Sequence, residues 1–359
     1  MKKYIYLLTI VVVILILPIR ISALDDTDKY IDEFKSVLPE EYSQISLDPS
    51  GLIETASLKG LLLEIVSISS GHGGRILSFF LILVGSLVLL SLSYHCPDTV
   101  KGAVSTSVGC IASLLIFNRI SAVYDEITTS VSSVFDFFGA IIPITTAVTA
   151  MGGGVNAATV QGGGMYITLS VIGGVFSFVT SILSAFCLAM SLLSAFGNDG
   201  AGAILRGVKS FFMWFIGIMT ALITGTIALQ TVIASAADSG VMRTMKYMAA
   251  GLIPIVGSTV SSALSTLAAG LSYVKGIIGG GAILVIVLLL LSPIVMLVLH
   301  RLAFSVCIII SDFVGASTAS KIFSSFRFSL DTLIVLSAVS SVILILEIVL
   351  FMKVGVALL

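Results

Sequence analysis

Two acids sit inside otherwise apolar runs, Asp136 in VFDFFGAIIP and Glu347 in VILILEIVLF. An ionised carboxylate facing lipid costs a few kcal/mol, so each must meet a partner, an aqueous path or the membrane interface. For Glu347 the interface is favoured, because Lys353 marks a helix end only about 9 Å further along a helical axis. Asp136 admits two readings: a paired or interfacial acid, or part of a polar lining. The other reactive side chains do not assemble into a known chemistry. His72, His95 and His300 are isolated and no HExxH exists, so a membrane metalloprotease is not indicated. Tyr124-Asp125 lacks the second carboxylate that an aspartyl protease needs to divide acid and base roles. GNDGAGAILRGVKS is rich in glycine but wrongly spaced for a phosphate-binding loop, and GASTAS at 315–320 has no histidine in register with its serines. Cys96, Cys110, Cys187 and Cys307 show no CxxC or Cys/His spacing, so they read as small apolar packers. No catalytic residue, cofactor, metal site or nucleic-acid partner is therefore expected.

The elements that would hold these residues are membrane helices. Of 359 residues 57% are hydrophobic and 10% charged, with mean hydropathy +1.18, against the roughly 25% charged residues of a soluble domain. The expected class is all-α, a polytopic membrane helix bundle. Its start, MKKYIYLLTIVVVILILPIRISALDD, has a basic beginning, an apolar core, Pro18 and small residues before a hydrophilic stretch, the pattern of a signal peptide over 1–23; an uncleaved anchor is the alternative. Residues 24–74 carry ten acids against three lysines and form a short acidic segment placed outside the cytoplasm, with amphipathic helices around Phe34 and Leu62. Fifty or so residues bury too little to stand alone, so their apolar faces are expected to rest on the bilayer or on a partner. The membrane domain occupies 75–359. Windows of about twenty apolar residues fall at 76–94, 102–118, 165–196, 210–234, 277–299 and 329–352. The stretches 127–150, 249–272 and 302–315 are less apolar or short, and are expected to be re-entrant or broken. Basic residues are spread over nearly all connections, so charge asymmetry does not orient the loops.

Two stretches stand out from the Leu- and Ile-rich background. MGGGVNAATVQGGGMY places Gly152, Gly153, Gly154 and Gly162, Gly163, Gly164 around a polar, uncharged segment, read as a flexible loop. From Met245 to Gly270 the chain runs MKYMAAGLIPIVGSTVSSALSTLAAG. Pro254 and Gly257 are expected to bend or break the helix. Beyond them Ser258, Ser262, Thr266 and Gly270 form a small, polar ridge at helical spacing. Lipid rewards Leu no more than a neighbouring helix does, so small residues prevail where backbones approach closely. Close helix packing and the lining of a polar path are both compatible with this ridge.

KYMAAGLIPIVG, spanning Lys246, Gly251, Pro254 and Gly257, together with the small-residue helix after it, Lys275 with Gly279, and LAF at 302–304, resembles the stage III sporulation protein AE family of endospore-forming bacteria. The layout is similar over nearly the whole chain. Departures lie at Gly251–Pro254, where Asn-Phe-Ile-Pro is frequent in the family, and at Ser262 and Ser265, where acids are frequent. The resemblance implies a non-enzymatic, multi-pass component in the mother-cell membrane around the forespore. It would belong to a channel complex, similar to specialised secretion systems, that late forespore gene expression requires. Implied partners are a cytosolic ATPase, small membrane proteins, ring-forming proteins between the two membranes and a forespore-membrane protein. A stand-alone permease for a small solute, with a midplane site at the glycines and Pro254, is the competing expectation.

Overall fold

In hydrocarbon every backbone N–H and C=O must be satisfied within the protein, and a continuous helix does this locally. The computed structural model describes residues 28–42, 55, 57–93, 95–151, 155–196, 201–252 and 257–353; the side chains of some helical residues, those of 234–269 chief among them, lie outside it. Apart from one 3₁₀ turn at Glu40–Tyr42, each regular element among the described residues is an α-helix: α1 (Asp28–Val37), α2 (Leu58–Ser93), α3 (Asp98–Met151), α4 (Val155–Ala195), α5 (Ala201–Leu252), α6 (Gly257–Val314) and α7 (Ser317–Lys353). Six of them, α2 to α7, are long and apolar enough to cross a membrane, and each of the six apolar windows falls in a different one. The chain is a multi-pass membrane protein with an all-helical fold.

Three expectations are corrected. The stretch 127–150 is neither broken nor re-entrant but the second half of α3, which passes through Pro143 without interruption. Pro is tolerated here because neighbouring helices hold the segment that lacks one N–H. Likewise 302–315 continues α6 as far as Val314. Gly162–Gly164 are not loop but helical residues of α4; low helix propensity is overridden where absent side chains let other helices come close. The signal peptide at 1–23, Gly152–Gly154 and Pro254 lie outside the described residues. So do the side chains of Lys246, Ser258, Ser262 and Thr266, whose backbones are helical, while Gly251 lies at the end of α5, Gly257 opens α6, and Gly270 is buried.

Consecutive helices lie side by side from α2 to α5 and again from α6 to α7, with α3 against α4 and α6 against α7 the most extensive pairs, whereas α5 hardly touches α6. α7 also lies against α4, α5, α3 and α2, and it shares with α6 the most buried of the six spans. These two helices form the centre, whereas α2, α4 and α5 turn exposed rows such as Leu77, Leu81, Phe178, Trp214 and Leu222 outwards. Aromatic contacts tie the centre to α2: Phe79 stands edge-on to Phe304 at 5.4 Å and tilts over the buried His300 at 4.9 Å. The hairpin α6–α7 is further clamped by an ion pair between Arg301 Nε and Asp331 Oδ1.

The acidic segment does not stand apart. α1 packs on α3 and α6, where Phe34 is fully buried and meets Phe137 edge-on at 6.4 Å. Its apolar face therefore rests on its own bundle. α2 begins at Leu58 and runs without a break past Gly74 into the membrane domain, so the second amphipathic run is the opening of a spanning helix.

Candidate functional site

A helix without charged residues can bring polar groups into a bundle only through amides and hydroxyls, and α4 is such a helix. Gln161, Gly164 and Thr168 follow one another along its inner face, separated by three and four residues. All three are buried. Each meets a different neighbour, and together they make a polar seam through the contact of α3, α4, α5 and α7.

At the first level Gln161 faces Thr149 of α3. The Thr149 hydroxyl donates to the Thr145 carbonyl at 2.8 Å, so its 3.5 Å approach to Gln161 Oε1 is a contact more than a strong bond. Gln161 Nε2 has no hydrogen-bond partner among the described residues. Beside it Gly162 lies so near Thr146 that a Cβ at 162 would be 2.5 Å from Thr146 Oγ1.

At the second level the missing side chain of Gly164 makes room for Gln230 of α5, whose amide occupies the place a Cβ would take. Gly163, between the two, is exposed and meets nothing. Two glycines of this triplet thus admit polar side chains from opposite neighbours, α3 and α5.

At the third level Thr168 Oγ1 donates to Glu347 Oε1 of α7 at 2.7 Å. Glu347 is 2% exposed, so the interfacial placement expected from Lys353 is not what the structure shows. The helix end is near along the axis, but Glu347 points between α7 and α4 instead of towards the rim. No described residue forms an ion pair with it. One turn further on, Lys275 of α6 is also buried, with its ammonium 5.4 Å from the centre of the Phe351 ring.

Beyond Thr168 and Glu347 the three helices part slightly. The gap is a narrow cleft lined by Ile172 of α4, Ile216, Thr220 and Ile223 of α5, and Ser340 and Ile343 of α7. Ile172 and Ile343 are each one turn, about 6 Å, from the Thr168–Glu347 hydrogen bond. The cleft wall is apolar apart from two hydroxyls, and that of Thr220 is bonded to the Ile216 carbonyl.

Asp136 does not join this seam. It is exposed on α3 and makes no hydrogen bond or ion pair with a described residue. Gln161, Thr168, Gln230 and Glu347 were not singled out by sequence as a site, although Gln161 and Thr168 share one helical face two turns apart. A second buried cluster is structural in character: Tyr124 of α3 donates its hydroxyl to Ser329 of α7, and the Cys187 thiol of α4 donates to the Ser325 carbonyl at 3.3 Å. Among the described residues no three His, Cys, Asp or Glu side chains come together as metal ligands would.

Comparison with known proteins gives one match. The family model described as stage III sporulation protein AE matches residues 55–357, from just before α2 to beyond the end of α7, and so includes the whole seam. No curated protein and no solved structure matches the chain.

Proposed function

The chain belongs to the stage III sporulation protein AE family, and from that premise we propose that it is a non-enzymatic membrane subunit of the assembly joining the mother cell to the engulfed forespore. In this reading it sits in the mother-cell membrane around the forespore. It acts by association with the cytosolic ATPase, small membrane proteins and ring-forming proteins of that assembly, and with a partner in the forespore membrane. The observation that carries the reading is the extent of the family match, which takes in all six candidate spans. The interior supports it as well: apart from Lys275, His300 and Glu347, the buried polar side chains among the described residues are hydroxyls and the Gln161 amide, a set suited to helix association. Affinity purification of the tagged chain from sporulating cells in mild detergent is expected to bring down the ATPase and the ring-forming proteins. Recovery of the chain without either would refute the proposal.

The proposal also places α1 in the space between the two membranes. Glu33 is exposed on α1, so when the chain is produced in growing, non-sporulating cells, where its extracytoplasmic side faces the outside, a Glu33→Cys variant is expected to react with a membrane-impermeant thiol reagent added to protoplasts, above the background of the native cysteines. Reaction only after the membrane is opened would put this segment in the cytoplasm.

A further inference from the structure

We propose that Glu347 is a proton-binding site inside the bundle, where its carboxyl group, held by Thr168, takes up and releases a proton. The assignment rests on the placement of the acid, 2% exposed between α7 and α4 and hydrogen-bonded by Thr168, and it does not depend on the family reading.

Buried carboxylates in helix bundles commonly pair with a cation or a backbone carbonyl, bind a metal ion, or exchange a proton. Among the described residues pairing does not account for Glu347. α4 has no charged residue, and the titratable groups towards this end of the surrounding helices include Tyr166 on α4, Tyr273 and Lys275 on α6, Lys353 on α7 and Asp136 on α3, while the side chains of Asp238, Arg243 and Lys246 on α5 lie outside the described residues. None of those whose side chains are described forms an ion pair with Glu347; Tyr166, Lys353 and Asp136 are exposed. Metal binding is poorly served as well. A hard cation asks for about six oxygens, but α4 and α7 are unbroken here and their carbonyls are spent on helical hydrogen bonds. The only described side-chain hydrogen bond at Glu347 comes from Thr168. A proton needs a single carboxyl oxygen, and Glu347 Oε2 has no hydrogen-bond partner among the described residues.

A small cleft begins one turn from the carboxyl group, at Ile172 and Ile343, with the Thr220 and Ser340 hydroxyls on its otherwise apolar wall. On the other side Gln230 and Gln161 close the seam with amides, which do not titrate. Exchange at Glu347 would make the packing of α7 on α4 depend on the proton concentration.

Dicyclohexylcarbodiimide tests this on the full chain in lipid vesicles. The reagent enters apolar regions and adds only to the protonated acid: the carboxyl proton passes to a carbodiimide nitrogen, the carboxylate oxygen bonds the central carbon, and the adduct rearranges to a stable N-acylurea with no atom lost. Mass spectrometry is expected to find the adduct on Glu347 of the folded protein. Its rate should fall about tenfold per pH unit once the acid has lost its proton, and Glu347→Gln, which keeps an acceptor for Thr168, should remove it. Failure of Glu347 to react in the folded protein, or a rate that does not change with pH, would overturn the assignment.

Discussion

Asp331→Leu is expected to lower the stability of the bundle by about 3 kcal/mol, read as a clear fall in the thermal midpoint of the purified chain in detergent. The Arg301–Asp331 pair joins α6 to α7, and both side chains are less than a third exposed, at 25% and 23%. Removing the carboxylate leaves Arg301 without its counter-charge in a site that water reaches only in part, and that loss, more than the attraction itself, sets the size of the effect. The double variant Arg301→Met with Asp331→Leu should recover most of the loss, because no charge is then stranded. A single variant as stable as the parent would show that the pair contributes nothing. Arg75 with Glu126 offers the contrast: its partners are 67% and 38% exposed, and Glu126→Gln should change the midpoint little.

The second large effect is expected at Gly162. A Cβ there would lie 2.5 Å from Thr146 Oγ1 and 3.2 Å from its Cγ2. Thr146 cannot readily rotate away, because a β-branched side chain is stiff and its hydroxyl is bonded to the Ile142 carbonyl at 2.7 Å. Gly162→Leu should therefore force α3 and α4 apart at a cost of about 1–3 kcal/mol, despite raising the hydropathy of α4. Gly162→Ala tests the cause. It should be destabilising in the parent and close to neutral when Thr146→Ala is also present, since the atom then left nearest, Thr146 Cβ at 3.5 Å, is an ordinary contact. Additivity of the two changes would mean that the glycine has no packing role.

The fate of Gly162 shows what local sequence conveys and what it does not. Two glycine triplets in sixteen residues look like a loop because helix propensity in water disfavours glycine by about 1 kcal/mol each. Nothing in the local pattern says that a threonine of α3 and a glutamine of α5 need the space. The spans themselves were legible, since twenty apolar residues are a signal that few other structures explain. Joining 127–150 to α3 was not, because Pro143 is a breaker only if the neighbouring helices are ignored. Glu347 was seen as costly but assigned to the rim, since its near neighbour in sequence is Lys353 while its partner in space, Thr168, is on another helix. The seam is assembled from residues of four helices, and no single stretch contains enough of it to be recognised.

The lengths of α3 and α6 have a further consequence. At 54 and 58 residues they measure roughly 81 and 87 Å, whereas the hydrocarbon core is about 30 Å thick. Even at a tilt of about 40°, the steep end of what membrane helices adopt, the crossing uses only about 26 residues. More than half of each helix must then stand in headgroups or water, whichever part lies in lipid. The chain is a tall column only partly immersed, and a protein that grips one end of α3 is held far from whatever grips the other by a distance that the helix, and not the bilayer, sets.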